Sequence, residues 1–464
     1  MHIKANPKCC FTACPVFSGS TRIILIFLLA CIFHTELYAQ EDDYQEPTEE
    51  EVNSALSSHT SQFALTKNYE LGDGLNIVSR NARLRFTQSL QLLYGLNSLD
   101  NFNSINSQYN IRRARFAMVG WLFSDKVYFR IRLNLAENYQ SSTSGTRSFN
   151  NTLQDALIEY RITPDQRINF GVRADYTDTR EVRIEGESLQ FIDRSAVFSA
   201  FDAVFDYGIR YYGMFRLGGS NILKPYISVT TGDGTAGLQK NYGGFKYGIR
   251  LDYLPFGLFT KGGEFYMDDL AYERTPKLVI GGIASYNVGA SSAKGTNGGR
   301  YIYGDSAKNI LLPNYFKTGI DYMFKYRGFF SLGDFVYTSA TVPDGIAGEF
   351  NLNGNFTPYT GQTPEQIRNT VLNRLNLGTG INIQAGYMID KWALGARYAH
   401  LHEAEQSADF AAMNRYYSFI TTRYFYEHNL KAQLELGYQE YAEPNKTATS
   451  KGNIYGQILV TVQF

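Results

Sequence analysis

Apolar and polar residues alternate along most of the chain after residue 80. In 126–136, Val127, Phe129, Ile131, Leu133 and Leu135 share one parity, and Arg130, Arg132 and Asn134 the other. Successive side chains of a strand point to opposite faces, so this segment has one apolar and one polar face. The end of the chain repeats the pattern. Ile454, Gly456, Ile458, Val460, Val462 and Phe464 fall on one face, and Tyr455, Gln457, Leu459, Thr461 and Gln463 on the other. Sixteen such strands are predicted, at 80–94, 109–123, 126–136, 153–161, 166–173, 206–217, 223–232, 243–254, 276–288, 314–326, 328–338, 378–389, 391–400, 413–425, 428–439 and 453–464.

The connections sort by length. Short ones fall at Ser124-Asp125, Thr163-Pro164-Asp165, Arg327-Gly328, Asp390 and Glu427. Long ones fall at 95–108, 137–152, 174–205, 233–242, 289–313, 339–377, 401–412 and 440–452. Short periplasmic turns alternating with longer external loops mark a transmembrane barrel. A soluble sandwich has no reason to sort its loops by parity. One connection, 255–275, is long where a short turn belongs; it either extends the flanking strands or marks a misread register. The predicted fold is all-β, a 16-stranded antiparallel transmembrane β-barrel over 80–464.

Arg or Lys facing lipid at mid-membrane costs about 2–4 kcal/mol, so the strand arginines point into the lumen. Leu84, Phe86, Leu90 and Leu92 then face outward, and Arg83 and Arg85 inward. Phe116 and Met118 face outward, Arg113 and Arg115 inward. Where alternation is clear, the inward bases are Arg83, Arg85, Arg113, Arg115, Arg130, Arg132, Arg161, Arg167, Arg173, Arg210, Arg216, Lys246, Arg250, Lys317, Lys325, Lys391, Arg397 and Lys431. The inward acids are only Asp155, Glu159, Asp252, Asp321, Asp390 and Glu435. Strands 328–338 and 413–425 have no clear face. A lumen with this excess of guanidinium and ammonium groups favours anions, and arginine's planar fork suits phosphate oxygens.

Composition fits this reading. Tyr (35), Phe (32) and Gly (42) are abundant and suit aromatic girdles and turns. The mean hydropathy of −0.28 is a poor guide when only alternate residues meet lipid. No run of eighteen uncharged apolar residues follows residue 40, so no membrane-spanning helix is predicted there. The apolar run Ile23–Phe33 behind Lys4, Lys8 and Arg22, with Leu37-Tyr38-Ala39 before Gln40, reads as a signal peptide over 1–39. Leu28-Leu29-Ala30-Cys31 also resembles a lipoprotein box, the weaker alternative. All four cysteines precede the expected cut, which leaves no disulfide framework in the mature chain. The formal charge is zero, but Glu41, Asp42, Asp43, Glu46, Glu49, Glu50 and Glu51 crowd into 40–58 without a Lys or Arg. Residues 40–79 are predicted to be an acidic tail and lead-in.

Three stretches carry a family resemblance. They are Tyr109-Asn110-Ile111-Arg112-Arg113-Ala114-Arg115-Phe116, then Leu153-Gln154-Asp155-Ala156-Leu157-Ile158-Glu159-Tyr160 with Ile168-Asn169-Phe170-Gly171, and Leu189-Gln190-Phe191-Ile192-Asp193-Arg194-Ser195. Over about 80–215 the chain resembles the phosphate-selective porin O and P family. The resemblance implies a 16-stranded trimeric porin whose third external loop, 174–205 here, folds into the pore. That loop carries Arg180, Arg183 and Arg194 against Asp175, Asp178, Glu181, Glu185, Glu187, Asp193 and Asp202. A phosphate constriction should be net basic, so the loop opposes the wall in sign.

Gly232-Asp233-Gly234-Thr235-Ala236-Gly237 matches a dinucleotide fingerprint, but it lies between two strands and lacks the following helix, so it reads as a hairpin loop. His400 and His402 share a face beside Glu403 and Glu405 and read as a solvated strand end. Pro364–Leu377 has helical spacing. No nucleophile elbow or zinc spacing occurs. The expected function is passive diffusion of small hydrophilic solutes across the outer membrane of a Gram-negative-type bacterium, leaning to anions such as phosphate. The alternatives are a weakly selective general porin, a plugged structural or adhesive barrel and, least favoured, a barrel enzyme. Lipid, lipopolysaccharide, small anions and a homotrimer are the expected partners. No cofactor, metal, catalytic residue or nucleic acid is expected.

Overall fold

Strand pairing follows the alternation. The strands are β1 (Ala82–Ser98), β2 (Asn106–Leu122), β3 (Val127–Asn134), β4 (Leu153–Thr163), β5 (Gln166–Ala174), β6 (Phe205–Gly213), β7 (Asn221–Thr230) and β8 (Lys246–Leu254). They continue as β9 (Lys277–Asn287), β10 (Asn314–Tyr326), β11 (Phe329–Thr341), β12 (Gly378–Ile389), β13 (Trp392–Glu403), β14 (Met413–Tyr426), β15 (Leu430–Tyr441) and β16 (Gly452–Gln463). Each pairs antiparallel with its successor, and β16 returns to β1 from Ile454↔Ser98 to Gln463↔Ser89. The result is a closed 16-stranded barrel without an open edge. The Gln88 N–H donates to the Phe464 carbonyl at 2.6 Å, and the Phe464 N–H to that of Gln88 at 2.8 Å.

The computed structural model describes residues 66–79, 81–98, 104–123, 125–136, 152–203, 205–235, 240–295, 298–351, 353–442 and 451–464. The signal segment, the cysteines and the acidic 40–58 stretch lie outside them. Within the lead-in, Thr66–Glu70 and Gly74–Val78 form a hairpin that joins β1 through Leu75↔Phe86 and Ile77↔Leu84.

The boundaries differ from expectation in two places. β1 and β2 extend beyond 94 and before 109, because Leu96 continues the outward row and Gln108 packs inward by Gly95. The predicted strand 206–217 breaks at Met214 and resumes at Phe215–Gly218. The cause is Pro225 on β7, between the segment pairing with β6 and the segment pairing with the resumed strand. Proline has no N–H to give the ladder. The tight turn at Arg327-Gly328 has φ of 49° and 87°, as a two-residue type I′ hairpin requires.

The outer surface is apolar. Ile158, Phe170, Ile209, Ile249, Ile320, Phe335, Phe419 and Ile458 are all exposed on outward positions. Tyr253, Phe329, Tyr387, Trp392 and Phe425 are exposed near the periplasmic strand ends, as an interfacial aromatic belt would be. Among the described residues no helix is long and apolar enough to cross a membrane; the strands do so instead. We expect Ile320→Arg, mid-strand on β10, to destabilise the lipid-reconstituted barrel by about 2–4 kcal/mol in urea unfolding.

The interior is not uniformly polar. Loop 174–205 folds into the lumen as two short 3-10 turns (Arg180–Arg183 and Gly186–Ser188) and helix α1 (Ala196–Phe201), which Ser195 caps by accepting from the Phe198 N–H. Phe191 and Ile192 pack on inward Leu93, Ile420 and Leu459. Val197 and Phe201 pack on Val336, Ala399 and Leu401. Burying each such side chain contributes roughly 1.5–3 kcal/mol. These apolar residues fasten the loop to the β11–β1 side, while its contacts to β2 and β3 include ion pairs.

The long connection 255–275 does not extend its strands. It turns back into the barrel from the periplasmic end. There Phe259 and Met267 share a buried core with Ile184 and Leu189 of the loop and with Ile222, Leu254, Val279, Met323 and Leu332 of the wall. The Met267 N–H donates to the Ser188 carbonyl. One insert from outside and one from the periplasm therefore meet inside the barrel. Above the external rim, Ile302–Gly304, Gly348–Phe350 and Phe356–Pro358 form a small sheet beside helix α2 (Pro364–Leu372), which starts in a Thr363/Gln366 capping box and ends short of Leu377. The described part of the Gly232 motif, residues 232–235, follows β7 outside any strand, and its Asp233 accepts from the Tyr242 N–H and the Ser291 hydroxyl.

Candidate functional site

The loop's acids meet the wall's bases. Asp175 pairs with Lys246 at 3.1 Å, and Asp178 and Asp202 flank Lys317. Glu187 pairs with Arg115 at 3.1 Å and accepts from Ser89 at 2.6 Å. Asp193 accepts from Arg112 at 2.7 Å. Glu185 pairs with Arg130 at 3.0 Å and with Arg132. The sign conflict between loop and wall is thus the means by which the loop is seated. Buried charges persist only when paired and hydrogen-bonded, and here nearly every one is.

Behind the loop lies a fully buried network. Arg180 bridges Asp252 (2.9 Å) and Asp321 (2.8 Å), Arg250 bridges the same two carboxylates at 2.8 and 2.6 Å, and Arg183 pairs with Asp252. Gly281 of β9 lies between them. A Cβ there would come within 2.3 Å of Arg250 and 2.6 Å of both aspartates, so glycine is what lets the network close.

Two lumenal cavities flank the loop. The external one, about 410 Å³, is lined by nine bases (Arg112, Arg113, Arg115, Arg130, Arg132, Arg173, Arg183, Arg194 and Lys294) and three acids (Asp155, Glu185 and Asp202). The periplasmic one, about 790 Å³, is balanced, with Arg85, Arg115, Arg130, Arg132, Lys261 and Lys325 facing Asp73, Glu185, Glu187, Asp268, Asp269, Glu273 and Glu427. The charged residues lining both are Arg115, Arg130, Arg132 and Glu185. These four form the eyelet. Asp155 of β4 fixes two of the arginines from behind, 3.1 Å from Arg130 and 2.8 Å from Arg132.

The sequence-predicted bases divide accordingly. Arg113, Arg115, Arg130, Arg132 and Arg173 face the cavities, with Arg183 and Arg194 of the loop. Arg83 and Arg85 stack on Trp121 near the periplasmic mouth, and Arg85 also pairs with Asp73. Arg167 and Arg216 pair with Glu159 and Asp165 at that rim. Arg210, Lys246 and Arg250 do not line the open space; they are buried behind the loop, as is Arg180. Arg210 donates to the Gly171, Arg173 and Asp206 carbonyls. Their burial follows from the loop's position, because a base covered by the loop becomes an anchor. Lys431 likewise donates to the Leu189 carbonyl at 2.6 Å, and Lys325 to three carbonyls of the periplasmic insert.

Arg112 escaped strict alternation. The β1–β2 register slips between Gln91 and Leu92, which pair with Arg113 and Ile111. A bulge puts one extra residue on a strand and re-aims its side chain. Arg112 and Arg113 therefore both reach the lumen. Two adjacent arginines on a membrane strand were the available signal. Asp155 faces inward by alternation, and its place behind the eyelet arginines follows from the register that sets it opposite Arg132. His400 faces outward with Nδ1 near the Asn414 carbonyl, and Glu403 accepts from the Phe410 and Ala411 N–H groups.

Glu185 of the eyelet and Glu187 beside it are strongly acidic. The enclosed lumen opposes charge on the half-exposed Glu185, but Arg132, Arg130 and Arg115 hold its carboxyl well below the usual range. Burial likewise opposes Arg115 at Glu187, whose carboxyl still falls to about 2. A depressed folded-state value gives stability that is complete above the unfolded value and is lost as pH falls through the folded one. The charges of Glu185 and Glu187 should accordingly stay constant from pH 8 to about 5, whereas Asp202, whose carboxyl burial and neighbouring Asp178 push up to about 7, takes up its proton within that range. Zero-current potentials of Asp202→Asn should hold steady from about pH 7 to 5; a drift in that variant would contradict it.

A closed barrel of this kind, apolar outside and charged within, is an outer-membrane β-barrel of the Gram-negative type. Residues 85–206 match the family model of phosphate-selective porin O and P, the span that holds the eyelet and its loop. No curated protein matches the chain in sequence. Among solved structures it is similar to OmpT of Vibrio cholerae in its trimer form (11% identity, 83% of this chain and 100% of that one, TM-score 0.46). It is also similar to the outer membrane channel DcaP of Acinetobacter baumannii (10%, 83% and 98%, 0.44) and to Pseudomonas putida OprB (10%, 82% and 94%, 0.49).

Proposed function

We propose that the barrel passes small hydrophilic solutes and leans to anions, phosphate among them. The observation that carries this reading is the external cavity, where nine bases face three acids, the eyelet's three arginines and one glutamate among them. Clefts lined by one sign of charge concentrate the opposite ion, and arginine rings favour anions. The protein's part is electrostatic, with no bond made or broken. Single-channel conductance tests it. Exchanging potassium for lithium at constant chloride should change the conductance little, and exchanging chloride for phosphate should change it strongly. The reverse order contradicts the proposal.

We also propose a homotrimer in contact with lipopolysaccharide, as the family resemblance implies, with 1–39 removed as a signal peptide and 40–79 as lead-in to the barrel. Cross-linking in outer membranes and N-terminal sequencing of the mature chain test these points.

A further inference from the structure

Two loop acids, Glu185 and Asp193, keep exposed side chains (43% and 38%) on wall arginines, and of the two only Glu185 lines the cavities on both sides of the eyelet. Glu181, Glu187, Asp175, Asp178 and Asp202 are buried and hold the loop's own backbone or the wall. The Glu185 side chain is 43% exposed, yet each of its oxygens meets a different guanidinium, Oε1 that of Arg130 at 3.0 Å and Oε2 that of Arg132. Among the described residues it is the one acid that lines both cavities, so a solute passing between them passes Glu185. The two arginines do not depend on it for their position. Asp155, with a side chain 4% exposed, holds both from behind. They form a preset, water-reached site for one planar two-oxygen anion, and the loop's own carboxylate sits in it.

We propose that Glu185 is a displaceable stand-in for the solute, and that the eyelet site it occupies binds small monocarboxylates, which exchange with it during passage. The inference rests on the anion-leaning reading above and names the solute class its narrowest point retains. Exchange of one carboxylate for another leaves no arginine unpaired, and Glu185 can turn toward water from its exposed position. The charge also fits. Arg130 and Arg132 less Asp155 leave one net positive charge, because Arg115 is matched by Glu187. That suits a monoanion better than the phosphate dianion. A tethered competitor acts as a high local concentration, so its removal should tighten binding of a free carboxylate about tenfold.

The test is block of chloride current through the full-length protein in planar bilayers, with propionate or inorganic phosphate as the added anion. Glu185→Gln keeps the shape of the side chain and removes its charge. It should lower the half-blocking propionate concentration about tenfold and that of phosphate distinctly less. Glu185→Asp, which keeps a competing charge, should stay within about threefold of the parent. A propionate value for Glu185→Gln within about twofold of the parent overturns the proposal, as does an equal or larger shift for phosphate, which would show general charge attraction. The parent channel's zero-current potential in a potassium chloride gradient reads the anion preference separately. Cation preference there sinks the underlying reading, while the variant-to-parent ratio for propionate reads displacement alone.

Discussion

Replacing Arg130 and Arg132 together with glutamine is expected to turn the channel from anion-leaning to cation-leaning. The pair supplies two of the three arginines at the point where the cavities meet. Without it, Asp155 and Glu185 lose the partners that balance them, and the eyelet keeps Arg115 already matched to Glu187. The zero-current potential in a salt gradient should change sign. Asp155 is buried, and leaving a buried charge unpaired costs about 3–5 kcal/mol. Adding Asp155→Asn should restore stability without restoring anion preference, which separates the electrostatic effect from unfolding. An unchanged potential in either variant would place the selectivity filter elsewhere.

The second large effect is expected at Lys317. Its ammonium group lies between Asp178 and Asp202, whose side chains are fully buried, and it also donates to the Phe201 carbonyl at the end of α1. Lys317→Met leaves two adjacent buried carboxylates with their main counter-ion gone. The loop's attachment should weaken by about 3–5 kcal/mol. The loop should then leave its seat, giving a larger, noisier conductance and cleavage within 175–203 by protease added from outside. Combining Lys317→Met with Asp178→Asn and Asp202→Asn should return conductance toward the parent value, since paired charges replaced by neutral groups cost far less than orphaned ones. A parent-like conductance and protease resistance in the single variant would show that the apolar contacts of Phe191, Ile192, Val197 and Phe201 hold the loop alone.

The register and the inward arginines were legible in sequence because the membrane enforces them. A lipid-facing charge is costly, so on a strand such as β3 the apolar row and Arg130 and Arg132 had to fall on opposite faces. Loop parity was legible for a similar reason, except at 255–275, whose length was plain and whose inward course was not. The ambiguous strands had a physical cause. β11 places Phe330, Leu332 and Val336 inside, and β14 places Ile420 and Tyr424 inside, where the inserts cover them. A rule that made every inward residue polar could not sort them. The loop's acids were visible, but their partners were not, because a pair such as Asp178 with Lys317 joins residues far apart in sequence. Arg112 needed knowledge of a one-residue slip. The division of the bases into anchors and channel lining depends on which of them the loop covers, and side-chain parity carries no such information.

On the proposed function, the excess of arginine around the eyelet and the external cavity sets the ion preference despite an acidic loop. The most direct measurement is the zero-current potential of the unmodified protein in planar bilayers under a potassium chloride gradient at neutral pH and low ionic strength, where screening is weakest. The predicted result is a potential of the sign produced by chloride moving more readily than potassium. A potential of the opposite sign, showing preference for potassium, would contradict the account.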